Sequence, residues 1–88
     1  MERDKTILEE AQEVVYGDRQ ADYGTVTDNF NRIAKLWEPI LQCPVTPQMV
    51  GLCLVQLKVA RQLNKPKRDN LVDGAGYFAT LEKLESGK

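Results

Sequence analysis

Apolar residues return every third or fourth position in four stretches of this 88-residue chain, and no stretch alternates with the period of a strand. Gly, Pro and Asn punctuate the boundaries between them. The pattern predicts an all-α protein, a compact bundle of four amphipathic helices forming a single domain over 1–88. The first helix is predicted from about Lys5 to Tyr16, with Thr6 and Glu9 at the spacing of a capping box and Ile7, Leu8, Ala11, Val14 and Val15 on one stripe. The second runs from about Val26 to Leu41, capped by Thr25 or Thr27. It turns Phe30, Ile33, Ala34, Trp37, Ile40 and Leu41 inward, and Pro39 is expected to kink or end it.

Thr46 as N-cap and Pro47 at the first helical position open the third helix, which reaches about Leu63. It is apolar nearly all round through Val59, so it is expected to be the central helix, surrounded by the others. The last helix opens near Asp69-Asn70 and reaches about Glu85. Leu71, Val72, Ala75, Phe78 and Ala79 form its expected core face. Asp73, Tyr77, Thr80, Leu81 and Leu84 form a mixed opposite side that suits a partner subunit. A chain this short buries a modest core, which points to a homo-oligomer.

Composition narrows the chemistry. There is no histidine, and Cys43 and Cys53 lack metal-ligand spacing, which removes the usual zinc sites and His-based acid–base catalysis. No catalytic set and no metal site are assigned. A net charge of −1 argues against sequence-specific DNA binding. No signal peptide and no apolar run near the roughly 20 residues of a membrane span are visible, so a cytoplasmic protein without membrane contact is expected.

Candidate binding chemistry lies mainly on the last two helices. Arg61 shares an angular sector with Val50, Leu54 and Leu57, and Lys58 lies beside it. A cation there needs an anion, either Asp69 or Asp73 of the next helix or a ligand phosphate, unless its stem lets the head reach water. Lys67 and Arg68 belong to the run Lys65-Pro66-Lys67-Arg68-Asp69-Asn70 just before a helix N-terminus, a place that favours anions. An ordinary solvated connector with Asp69 as N-cap explains the same run. Asn70, Asp73 and Tyr77 recur on one polar stripe, and Gly74 and Gly76 imply close approach of a helix or of a ligand. In the loop 17–24, Arg19 and Tyr23 could hold a phosphate and stack on a base. Glu10 and Glu13 have the E-x-x-E spacing of helical magnesium sites, a spacing also common on solvated helix surfaces.

The segments Ile7-Leu-Glu-Glu-Ala, Tyr16-Gly-Asp-Arg-Gln-Ala-Asp-Tyr-Gly24 and Lys65-Pro-Lys-Arg-Asp-Asn-Leu-Val-Asp-Gly-Ala-Gly-Tyr77 resemble a domain-of-unknown-function family of tailed bacteriophages and prophages. Phe30, Trp37, the Val45-Thr46-Pro47 helix start and Lys58-Val-Ala-Arg61 extend the resemblance over nearly the whole chain. It implies a phage setting in a bacterial host cell. The order K-x-x-R, D-N-x-x-D, Tyr is more distantly similar to nucleotide-modification-associated domains and to all-α nucleotide pyrophosphohydrolases of the MazG and dimeric dUTPase type. That similarity implies magnesium held by E-x-x-E on one helix and E-x-x-D on the next. Here the second motif reads Asn70-Leu-Val-Asp73, with an amide for a carboxylate, and the E-x-x-E lies far upstream.

The expected function is therefore binding of a nucleotide-like phosphorylated ligand without a cofactor, with sequestration of a host defence nucleotide as its biological use. Lys58, Arg61, Lys67 and Arg68 would hold phosphate, Asn70 and Asp73 would contact base or sugar, and Tyr77 or Tyr23 would stack. One alternative is a magnesium-dependent pyrophosphohydrolase using Glu10, Glu13, Asp69 and Asp73. Another is an interaction module acting on a host protein.

Overall fold

A computed structural model describes residues 4–17 and 25–86, which contain four helices: α1 (Ile7–Tyr16), α2 (Val26–Leu41), α3 (Pro47–Asn64) and α4 (Arg68–Ser86). Three helix starts follow from threonine caps. The Thr6 hydroxyl accepts from the Glu9 N–H at 3.2 Å while the Thr6 N–H donates to the Glu9 carboxylate at 2.9 Å, completing the capping box. Thr25 takes the Asp28 N–H at 3.0 Å, and Thr46 takes the Met49 N–H at 3.1 Å with Pro47 behind it. Pro39 does not end α2, which runs on to Leu41 and stops at Gln42 in the left-handed region (φ 57°).

The most extensive pairing is α3 with α4, followed by α1 on α4 and α2 on α3. A core of Phe30, Ala34, Val45 and Val50 gathers Ile33, Trp37, Leu54, Tyr77 and Leu84 around it. Ala11 and Val15 of α1 are buried, and Lys83 of α4 sits 4.8 Å over the Tyr16 ring.

Glycines set two of the close approaches. A Cβ on Gly51 would lie 2.6 Å from Leu81 Cδ2 and 3.1 Å from Phe30, so α3 meets both neighbours where a side chain is missing. At Gly76 a Cβ would lie 3.3 Å from Val15, which makes close helix packing the reason for that glycine. Gly74 is different, because a Cβ there would meet nothing within 4 Å.

Several expected core positions lie outside. Leu8, Ile40 and Leu41 are exposed, and so are Leu71 and Phe78. α4 carries two apolar stripes, and the one that turns inward holds Val72, Gly76, Thr80 and Leu81 together with Asn70. The side expected to meet a partner subunit is thus the inner side: Thr80 is 2 % exposed and its hydroxyl donates to the Gly76 carbonyl. Nor is α3 surrounded, since Leu52, Leu57, Val59 and Leu63 remain exposed. Small residues decided the packing, because they let helix axes approach where bulky ones would hold them apart.

Gly51→Ala is expected to cost about 1–3 kcal/mol, since Leu81 and Phe30 must both give way in a filled core. Urea denaturation checks it, and a variant as stable as the parent would show that this approach is not tight.

Candidate functional site

The C-terminal turn of α3, the connector 65–67 and the first turn of α4 enclose an open cleft of about 460 Å³. Lys58, Ala60, Arg61, Asn64, Lys65, Lys67, Asp69 and Asn70 line it. Four cations face one carboxylate, and the start of α4 adds the positive end of its macrodipole. Lys65 closes α3 as its C-cap, its N–H donating to the Arg61 carbonyl at 2.9 Å. The Gln62 side-chain carbonyl then accepts both the Lys67 N–H (3.0 Å) and the Asn70 amide (3.1 Å). One glutamine thereby fixes the connector against α3 and orients the buried Asn70.

Lys58 lies at the back of the cleft, 7 % exposed. Its ammonium pairs with Asp73 at 2.8 Å and reaches Asp69 at 3.6 Å. Hydrogen bonding to Asp73 holds its pKa above the ordinary 10.5, against the opposing effect of burial. Arg61, the cation expected to need an internal aspartate, is exposed, and Lys58 makes that bridge instead. The reason is angular: Lys58 sits on the side of α3 that faces Asp73, whereas Arg61 comes out at the rim. Among the described residues Arg61, Lys65 and Lys67 make no ion pair. Arg61 also stands in the last turn of α3, where a cation complements the helix dipole.

Of the other expected binding residues, Arg68 is directed away from the cleft. Its guanidinium donates to Glu10 through Nε (3.0 Å) and Nη2 (2.9 Å), and Nη2 also reaches the Lys5 carbonyl at 2.7 Å, tying α4 to the start of α1. Tyr77 is half-buried and packs its ring 6.2 Å from Phe30. Burial, and then the charge of Asp73, raise its phenol above the ordinary 10.0. Arg19 and Tyr23 lie outside the described residues. Asn64 lines the cleft without having been singled out, because in the sequence it reads as the stop of α3, and Lys65 lines it as the first cation of the run before α4.

The carboxylates considered for magnesium are dispersed. Glu13 pairs with Lys5 at 2.7 Å, Glu10 with Arg68, and Asp69 and Asp73 with Lys58. Among the described residues no three His, Cys, Asp or Glu side chains gather where a metal ion could be held. No helix there is long and apolar enough to cross a membrane.

The family model described as "Domain of unknown function (DUF6378)" matches residues 6–85. The chain belongs to this family. It is 39 % identical over 82 residues to the Gene 55 protein of Mycobacterium phage L5, covering 91 % of this chain and 53 % of that protein. With the Gene 55 protein of Mycobacterium phage D29 it shares 33 % identity over 81 residues, covering 91 % of this chain and 54 % of the relative. The chain thus spans about half the length of these phage relatives. No solved structure matches it. The matched region of the DUF6378 family includes all four helices nearly to their ends, and with them the whole cleft.

Asp73→Ala is expected to destabilise the fold by about 1–3 kcal/mol, because the buried Lys58 keeps only the longer contact to exposed Asp69. Stability should also fall as pH rises past about 10. Lys58 contributes in full below its ordinary 10.5 and loses that contribution as pH climbs through its raised value. Tyr77 acts in the same direction, since the unfolded phenol ionises near 10.0 while the folded one resists. Urea titrations between about pH 8 and pH 11 check this. Tyr77→Phe should make the decline shallower, and a flat profile in the parent would contradict the pairing.

Proposed function

We propose that this phage-family protein binds a nucleotide-like phosphorylated ligand in the cleft between the end of α3 and the start of α4. The observation that carries the reading is the convergence of Arg61, Lys65 and Lys67, exposed and without ion pairs among the described residues, on one cleft. Arg61 supplies a planar fork suited to two phosphate oxygens. Lys65 and Lys67 supply point charges, and the start of α4 supplies backbone N–H groups. Asn64 offers an amide donor and acceptor for base or sugar, while Lys58, held by Asp73 behind it, lines the back of the cleft.

Arg68 and Tyr77 drop out of the binding set, because one is held by Glu10 and the other by Phe30. Arginine, lysine and amide side chains bind phosphate oxygens but supply no nucleophile for cleavage, so the reading is retention. In a phage setting, retention withdraws a nucleotide from the host, including any signal that host defence builds from nucleotides.

Isothermal titration calorimetry with ATP and with inorganic pyrophosphate tests this. Arg61→Ala should weaken binding by roughly tenfold or more, the loss of about 1.4 kcal/mol. Stability should stay within about 0.5 kcal/mol, because the side chain is exposed. Either no heat from the parent protein, or undiminished affinity in an Arg61→Ala, Lys65→Ala, Lys67→Ala variant, would overturn the proposal.

A further inference from the structure

Leu71, Ala75 and Phe78, which periodicity places in the core, instead line an open groove, while Val72 of the same expected face is buried. The groove holds about 300 Å³ between α3 and α4, walled by Val55, Val59, Leu63, Leu71, Ala75 and Phe78, with Gly74 among its lining residues. Leu63 is 83 % and Phe78 57 % exposed, and Val59 and Leu71 are about half exposed. Gly74 has no steric reason within the protomer, since a Cβ there would meet nothing within 4 Å. Glycine nevertheless weakens a helix interior relative to alanine.

We propose that this groove is the interface of a homodimer in which α4 pairs antiparallel with α4 of a second copy, crossing between Gly74 and Ala75. Leu71, Ala75, Phe78 and Glu82 recur at i, i+4, i+7 and i+11, so they lie along one face. Two-fold symmetry about the crossing sets residues equidistant from it opposite each other. Phe78 then lies on the partner's Leu71, and the two exposed Glu82 side chains stand at opposite ends of the pair. The face is acidic at one end and apolar along the rest, so an antiparallel pair keeps the two carboxylates apart. A parallel pair would oppose Glu82 with Glu82. Gly74 at the crossing lets the two backbones approach and admits the partner's bulky side chains.

The area agrees. Weighted by exposure, Val59, Leu63, Leu71 and Phe78 present on the order of 450 Å² of apolar surface. A standard interface takes about 800 Å² from each partner, and in homodimers roughly 65 % of that is apolar. The face thus carries about the apolar area that a second copy would cover.

Sedimentation velocity of the 88-residue chain at tens of micromolar tests the proposal. The expected species has twice the 10.0 kDa mass of the protomer. Phe78→Glu should give a folded monomer by circular dichroism, because that side chain is already exposed, whereas Ile40→Glu on exposed α2 should leave the dimer intact. Leu71→Glu, at the facing position, should likewise give a folded monomer, because that side chain is about half exposed and symmetry doubles every change. A monomeric parent, or a dimer that survives both Phe78→Glu and Leu71→Glu, would overturn the proposal. If Phe78→Glu unfolds, Leu71→Glu decides.

Discussion

The seam between α3 and α4 is the constraint on which the rest of the molecule depends. At one end Gly51 lets α3 settle against Leu81 and Phe30 at a distance that any added side chain would force apart. Further along, the same side of α3 presents Lys58, and the facing side of α4 presents Asp73, 2.8 Å away. A steric vacancy and a buried ion pair thus fix the rotation of each helix about its own axis. Once that rotation is set, Tyr77 and Leu84 must join the core, and Leu71, Gly74 and Phe78 must face away from it.

The same seam sorts the charges. Burial of a lysine is tolerated only because aspartates meet it, so Lys58, at the back of the cleft, is neutralised by Asp73 behind it. Arg68 is drawn the other way by Glu10, and in being so drawn it docks α1 onto α4. What remains at the mouth is Arg61, Lys65 and Lys67 beside a helix start. The local excess of positive charge stands in a chain whose net charge is −1, so an anion would find its potential concentrated in one place.

Much of this was legible in the residues. Thr6, Thr25, Thr46 and Pro47 specify helix starts through local hydrogen bonds, which need no knowledge of the fold. The cationic run before α4 was also visible, as was the need for an anion beside a lysine or arginine on an apolar stripe. Which cation took the aspartate was not, because Lys58 and Arg61 differ by less than a turn and only the packed angle of α3 separates them. Periodicity places Val72 correctly but misplaces Leu71 and Phe78 on α4 for a related reason. Periodicity finds two stripes there, and bulk favours Leu71 and Phe78, yet Asn70, Gly76 and Thr80 lie on the stripe that packs. Their inward placement is decided by close approach to α1 and by the Gln62 amide, both of which are tertiary facts.

The most direct test of the account is a two-dimensional amide NMR titration of the protein with inorganic pyrophosphate. Shift changes concentrated at Arg61, Asn64, Lys65 and Lys67 and in the first turn of α4, reversed by added salt, are the predicted result. Changes centred on α1, or an unperturbed spectrum at saturating pyrophosphate, would contradict it.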